Sequence, residues 1–502
     1  MVPRLLRLVN FTYPLDDDVE AVVLSAGEGV IFAGSESSSL RFQAPLTLDL
    51  EGRLVVPGLR DAHTHLFSTA LSYSGVDLKS ARSIEEVKEI VRRKAAELGP
   101  GEWVVGRGWD QEKLEEKRVP SREDLDEAAP RNPVILVRVC GHAAVINTKA
   151  AEALGLAGKA PEGLERFVVK EDGRLTGLLL EDAVAWALGK VPKPSLRVVK
   201  PLICRVLGEY LSYGVVSLHS MSAGPDELSI ISTLEREGLL NVKYEAYVAH
   251  EQVGEIPPGA AHLVRGVKAF ADGSFGARTA ALREPYSDAE SAGTLLMKAE
   301  QIAELARRAA ARGLDTAVHA IGDLAVEQVL EGARLAKTEL RIEHASLTPP
   351  DLLERISELK LRVSVQPHFI LSDTWIVDRL GYRARWVYAY RSLLSTGATL
   401  MGSSDSPVEP LNPWLGIYAA VNRGGPEGLP IHSYTASERI SFKEALSIYA
   451  LEKTPREYLV VLNTTSEPCS REEYARVRAV KVFAKGVQLG EIGTLTELCR
   501  EK

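Results

Sequence analysis

The chain has 502 residues, 45% of them hydrophobic and 25% charged, with a formal net charge of −8. That balance supports a sizeable core in more than one ordinary domain, and it excludes the basic face that nucleic acid or an anionic membrane surface requires. No charge-free apolar run is long enough to span a bilayer, and the N-terminal stretch, broken by Arg7 and followed by Asp16-Asp17-Asp18, reads as a strand and turn, so a cytoplasmic protein is expected.

Residues 1–57 alternate short apolar runs with Gly- and Asp-rich turns, which predicts small β-structure. Residues 479–483 and 487–489 read the same way, so one small sheet domain is expected from 1–57 plus about 460–502. Between them the pattern alternates apolar strands with amphipathic helices. Strands are expected at 55–65, 215–219, 242–248, 266–271, 315–319, 340–344, 362–367 and 399–404, with helices such as 298–312 and 323–337 between them. Such alternation gives a parallel sheet, and this number of units a (β/α)8 TIM-like barrel, here over 58–459. About 140 residues separate the first strand from the second. That is far above the usual loop in an α/β unit, so an inserted subdomain is expected at about 72–200, placed to roof the substrate pocket. Within it a helix is expected at 83–98, strands at 103–107 and 134–139, and a hairpin from 167–170 to 176–180.

The first barrel strand runs into Pro57-Gly58 and then His63-Thr64-His65. Side chains two apart on a strand share a face, so both imidazoles can address one point. The other expected strand ends carry Lys268, His319, His344 and Asp405. A closed barrel brings these ends to one mouth, where four imidazoles, a carboxylate and a lysine form an N/O ligand set suited to Zn, Mn, Co, Ni or Fe.

The segments VVPGLRDAHTHL, GEWVVGRGWD, ILVRVCGHAAVINTKA, GLLLEDA, GVVSLHSM, VKAFADGSFGARTAAL, AVHAIGD, RIEHASL, SVQPHFI and GSSDSPVEPLNPWLGIYAAVNR, spread over about 55–425, resemble the amidohydrolase superfamily in its YtcJ-like branch (amidohydrolase family 3). The resemblance implies a (β/α)8 barrel with a small β-sandwich, one or two divalent metal ions, zinc foremost, and hydrolysis of C–N bonds in amides or ring amides. Carried over by position, it implies that His63 and His65 ligate the more buried metal, and His319 and His344 the more exposed one. Lys268, carboxylated, would bridge them, and Asp405 would ligate the first metal and exchange a proton with the attacking water. The chain departs from the family near its C-terminus, where 459–463 runs into Thr464-Thr465-Ser466-Glu467-Pro468 in place of a Gly-rich segment.

The chemistry expected of this set is attack by a metal-activated hydroxide, with Asp405 as general base and no Ser or Cys nucleophile. The substrate would be a small molecule, and a homodimer is left open. Pocket candidates are Trp109 with Asp110, His142, Phe275, Arg278, and His368 with Trp375. Arg278 would either clamp a substrate carboxylate or pair with Asp272 or Glu284; His368 would stabilise an oxyanion or fix its own loop. Lys268 has a plainer alternative as an ion-pair partner of Asp272. His219, His250, His262 and His432 are assigned to packing or surface, and Cys140 and Cys204 to the core. Cys469 and Cys499 are expected to pair only in a hyperthermophile host. Rival readings are a deaminase, lactonase or phosphotriesterase on the same site, and a non-catalytic barrel scaffold.

Overall fold

The computed structural model describes residues 5–489 apart from 79, 112, 139–142, 157–160, 166–167, 172–173, 181, 193–194 and 453. The chain forms two compact units, one of residues 1–69 with 203–502 and the other of residues 70–202.

In the first unit, eight parallel strands follow one another around a nearly closed sheet: Leu59–Thr64, Val215–Met221, Lys243–Ala249, Val264–Phe270, Asp315–Ala320, Arg341–His344, Arg362–Val365 and Thr399–Gly402. Every one lies where the alternating pattern predicts a barrel strand. Their residues are mostly buried, and in Val215–Met221 entirely so. That explains near-continuous apolar runs in place of clean alternation, because a parallel sheet is covered on both faces. Helices such as Ala299–Ala310 and Asp323–Ala336 bury their apolar residues (Ile302, Ala306, Val326, Val329, Leu330) and expose charges such as Glu304, Arg307, Arg308 and Arg334. The first and last strands are joined at their C-terminal ends, where Asp405 N–H donates to His63 O at 2.7 Å and His65 N–H to Ser406 O at 2.8 Å.

The same unit carries a seven-stranded sheet built from both ends of the chain, in the order Val487–Gln488, Ala479–Ala484, Tyr458–Leu462, Leu46–Pro57, Leu5–Thr12, Ala21–Ser25, Gly29–Gly34. Two details differ from expectation. Residues 55–57, expected in the first barrel strand, end the twelve-residue strand Leu46–Pro57 of this sheet, and Tyr458–Leu462 is a strand pairing antiparallel with it. Leu459 and Val461, alternate residues of this strand, join Leu8, Val22, Leu24, Val55 and Phe483 in the core of this sheet. Gly58 is the joint between this sheet and the first barrel strand. A Cβ there would lie 2.3 Å from Val216 Cγ2 and 2.6 Å from Tyr458 Cβ, so only glycine lets the chain pass.

The second unit has its own six-stranded sheet, ordered Val168–Glu171, Arg174–Leu180, Ala143–Ile146, Val134–Arg138, Val104–Trp109, Val76–Asp77. Two apolar clusters pack it, one including Val87, Val91, Trp109 and Leu136, the other Ile135, Ile146, Leu179 and Val184. Cys204, expected as a plain core thiol, is buried but disulfide-bonded, whereas Cys469 is exposed and free, so it does not pair with Cys499.

Candidate metal centre

The first barrel strand delivers His63 and His65, and the eighth strand's end delivers Asp405 between them. Asp405 Oδ1 lies 3.2 Å from His63 Nε2 and 3.1 Å from His65 Nε2. The His63 and His344 rings are 4.9 Å apart and those of His319 and His344 are 4.4 Å apart. Ligand atoms of His63, His344 and Asp405 all lie within 4.8 Å of one another. His63, His344 and Asp405 are buried, while the His65 side chain is 25% exposed and marks the open side.

Each imidazole is fixed through its other nitrogen. His63 Nδ1 bonds Glu343 at 2.6 Å, His65 Nδ1 bonds Met221 O at 3.0 Å, His344 Nδ1 bonds Gln366 Oε1 at 2.7 Å, and His319 Nε2 bonds Gly273 O at 2.8 Å. All four partners are acceptors, so the ring nitrogen facing them carries the proton and the opposite nitrogen is a bare lone pair. The bare atoms are Nε2 of His63, His65 and His344 and Nδ1 of His319. Gln366 is itself held by Ser403 Oγ at 2.9 Å, which fixes its oxygen towards His344.

Asp405 Oδ1 is buried and, despite its two close nitrogens, has no hydrogen bond. Lone pairs therefore face lone pairs, an arrangement that requires a cation or a proton between them. The electrostatics point the same way. Burial alone would raise the Asp405 carboxyl, yet His63, His65 and His344 hold it well below the usual carboxylate range. Burial and Lys268 push His63 down, but Asp405 and Glu343 more than reverse this and hold it above its ordinary value. Burial, with Lys268, pushes His319 down to about 3, and burial with His319 drives His344 well below its usual value. These two imidazoles are thus neutral donors, while the His63–Asp405 end attracts positive charge. The donor set therefore fits a divalent metal ion.

Lys268 is 1% exposed and its Nζ makes no hydrogen bond. Burial pushes its amine down to about 8, against the pull of Glu343 and Asp405. The alternative pairing with Asp272 is not formed. Asp272 instead accepts the backbone N–H groups of Ala281, Ile321 and Gly322 and pins the loop after the fourth strand, with burial raising its carboxyl to about 7.

The residues beneath the centre carry charge where a TIM-like barrel usually packs aliphatic layers. Glu343 is fully buried between His63 and Arg341, whose Nε lies 2.6 Å from it. Burial opposes its ionisation, but Arg341 and His63 hold its carboxyl well below the ordinary range. Arg341 also donates to Ala62 O and to His219 Nδ1, the latter at 2.7 Å. Asp61 accepts from His63 N–H, from Ser404 N–H and Oγ, and from Tyr210 O–H, tying the first strand to the eighth. Glu343, Arg341, Asp61 and Gln366 were not anticipated. The alternation of Arg341-Ile342-Glu343-His344 holds the available signal, since Arg341 and Glu343 share one face. Backbone strain also gathers here: His344, Ala345 and Asp405 have φ of 74°, 46° and 57°. Left-handed conformations at non-glycine residues concentrate at sites that need them.

The expected pocket residues fare less well. Trp109 is 1% exposed in the core of the second unit, its indole N–H donating to Leu136 O at 2.8 Å, a packing role in place of the pocket role expected. Asp110, beside it, pairs with Arg138 at 2.9 Å. His142 lies outside the described residues. Arg278 grips Asp288 through two hydrogen bonds of 3.1 and 2.8 Å, so its partner is neither Asp272 nor Glu284, and its fork is not open for a substrate carboxylate. Arg379 shares Asp288, and the two guanidiniums hold that carboxyl down at about 2. Phe275 is buried. His368 gives Nδ1 to Glu409, which also accepts from Ser372, while its buried Nε2 has no partner. His250 and His262 are surface ion-pair partners of Glu251 and Glu235.

A family described as "Amidohydrolase family" matches residues 46–454. The putative amidohydrolase YtcJ of Bacillus subtilis (strain 168) is 31% identical over 454 residues, covering 86% of this chain and 86% of that protein. An N-substituted formamide deformylase of Arthrobacter pascens is 24% identical over 520 residues, covering 93% and 94%. The crystal structure of an uncharacterized metal-dependent hydrolase from Pyrococcus furiosus superposes with a TM-score of 0.75 at 38% identity, covering 89% of this chain and 93% of that one. The barrel, the histidines turned to a common point and a family match across most of the sequence agree: the chain belongs to the amidohydrolase family of metal-dependent hydrolases, in its YtcJ-like branch.

Proposed function

We propose that this protein hydrolyses an amide-type C–N bond of a small molecule, using one or two divalent metal ions, zinc foremost, held by His63, His65, His319, His344, Asp405 and Lys268. The observation that supports it best is the shared orientation of the four imidazoles, each anchored through one nitrogen to an acceptor and left bare at the other. Bound there, a divalent metal would bring the pKa of water near neutrality and polarise a carbonyl oxygen.

The chain's own residues supply the rest. Asp405, anionic and pointed between His63 and His65, takes the proton of the attacking water and returns it to the leaving nitrogen. Glu343 fixes the His63 ring and keeps its Nδ1–H in place, and Gln366 does the same for His344. The Lys268 amine, unpaired and pushed down to about 8, is nucleophilic near neutral pH. Its nitrogen lone pair adds to the carbon of carbon dioxide and the proton it loses passes to water, giving a carbamate whose single negative charge, shared by two oxygens, would serve the metal site. The relative named as an N-substituted formamide deformylase supports amides as the substrate class.

The test is metal analysis of the purified protein coupled to a hydrolysis screen over N-formyl, N-acyl and cyclic amides. The expected result is near-stoichiometric divalent metal, with amide hydrolysis that chelation abolishes and metal restores. Protein that binds no metal, or that hydrolyses only esters or phosphotriesters, contradicts the proposal.

A further inference from the structure

The fourth barrel strand, Val264–Phe270, ends in an aromatic residue that the chemistry above does not use. Lys268 and Phe270 are two apart and so share a face of the strand. The Phe270 ring centroid lies 4.9 Å from Lys268 Nζ and 5.2 Å from the His319 ring, so Phe270 stands directly beside the candidate ligands. Lys268 and His319 are nearly enclosed, whereas Phe270 is 42% exposed. A phenyl ring left open to water next to a buried polar centre is a surface whose burial is favourable once a ligand arrives.

Two further exposed apolar side chains are fixed to the same end of the barrel. Leu296, 55% exposed, donates its N–H to Ala271 O, the residue after Phe270. Val408, 64% exposed, donates its N–H to Asp405 O. Just beyond Phe270 the backbone is rigid, because Asp272 is clamped by three backbone N–H groups. Arg278, which could have greeted an anionic substrate, is engaged by Asp288.

We infer that Phe270 is the recognition platform for the non-reacting arm of the substrate, and that this arm is uncharged and apolar, an aryl or cycloalkyl group carried by the scissile amide. The inference rests on the amide-hydrolase reading for the reacting bond, but not for the arm. With the amide directed at the imidazoles, an arm laid on the exposed ring would be desolvated against it, with edge-to-face or stacked contact for an aryl group. Losing that contact corresponds to a change of about ten-fold in affinity, the scale on which an apolar pocket discriminates.

Calorimetric binding of paired amides that differ only in the arm, benzyl or cyclohexylmethyl against methyl, tests this. The titrations use metal-loaded Asp405→Asn protein so that binding is read without turnover, with and without Phe270→Ala or Phe270→Tyr. The expected result is a preference for the larger arm that falls about ten-fold in the Phe270→Ala background and persists with Phe270→Tyr, which keeps the ring. An equal preference for the larger arm with and without the Phe270 side chain overturns the inference, as does the absence of any arm preference while Phe270 is present. Should the wild type hydrolyse no amide while the Phe270-dependent preference stands, the amide reading falls and the platform remains.

Discussion

At the scale of single residues, the centre is a set of donors made bare by their neighbours. Asp405 has φ of 57° and an oxygen aimed between two imidazole nitrogens, a position with no packing explanation. Asp405→Asn preserves the volume and one oxygen donor but cannot take a proton. The expected outcome is a folded, metal-retaining protein with kcat down by about 10²-fold or more, read by steady-state kinetics at saturating metal. Glu343 acts one step back, through His63. Glu343→Gln removes the anion from His63 Nδ1–H and leaves Arg341 without its buried counter-ion. Metal affinity is expected to fall by about 10- to 100-fold, measured by competition with a chelator of known affinity. The ligand candidates were legible because His63, His65, His319, His344 and Asp405 fall at strand ends, where spacing and topology determine direction. Glu343 and Asp61 were harder to see, since a lone buried carboxylate has no sequence pattern apart from its partner. Trp109 and Arg278 show the reverse error. A tryptophan near a polar residue reads as a pocket wall, but its apolar bulk was taken up by a core, and the fork of Arg278 found Asp288 ten residues on.

At the scale of elements, the strand carrying His63 and His65 is held at both ends. Gly58 lets it leave the terminal sheet, and Asp61 collects four donors from the first strand, the segment just after the eighth strand and the helix Leu196–Ser212. Asp61→Ala would leave those donors buried without an acceptor. A loss of about 3 kcal/mol or more is expected in urea unfolding, together with weaker metal retention, because the ends bearing His63 and Asp405 are no longer tied. A second element carries a pH dependence. Asp373, half-buried after the helix Phe369–Ser372, has its carboxyl raised to about 7 by burial, against the hydrogen bond donated by Tyr388. Its unfolded value is near 3.8, so between about pH 4 and 7 the folded state holds a proton that the unfolded state has lost. Stability from this group therefore falls as pH rises through that window. Melting of wild type and Asp373→Asn at pH 4.5 and 8 should show the variant gaining relative to wild type at the higher pH; a variant whose Tm relative to wild type stays constant, or falls, between the two pH values contradicts the assignment.

At the scale of the whole molecule, periodicity carried the barrel further than it carried the rest. Each of the eight strands was visible as an apolar run, because a parallel strand is buried on both faces, and its chemistry collects at one end of the barrel. The strand Tyr458–Leu462 was obscured because its pairing partner lies some 400 residues earlier, at Val55–Pro57, and no local pattern records such a register. The same distance problem hid the Asp61–Ser404 tie and the Arg341–Ala62 hydrogen bond, both of which depend on barrel closure.

Whether these residues jointly hold metal is decided by anomalous diffraction at the zinc edge, from metal-replete crystals grown with bicarbonate. The expected result is one or two peaks bonded to Nε2 of His63, Nε2 of His65, Nε2 of His344, Nδ1 of His319 and a carboxylate oxygen of Asp405, with extra density on Lys268 Nζ for a carbamate. A peak that avoids these nitrogens, or clear density for an unmodified Lys268 amine touching no metal, would contradict it.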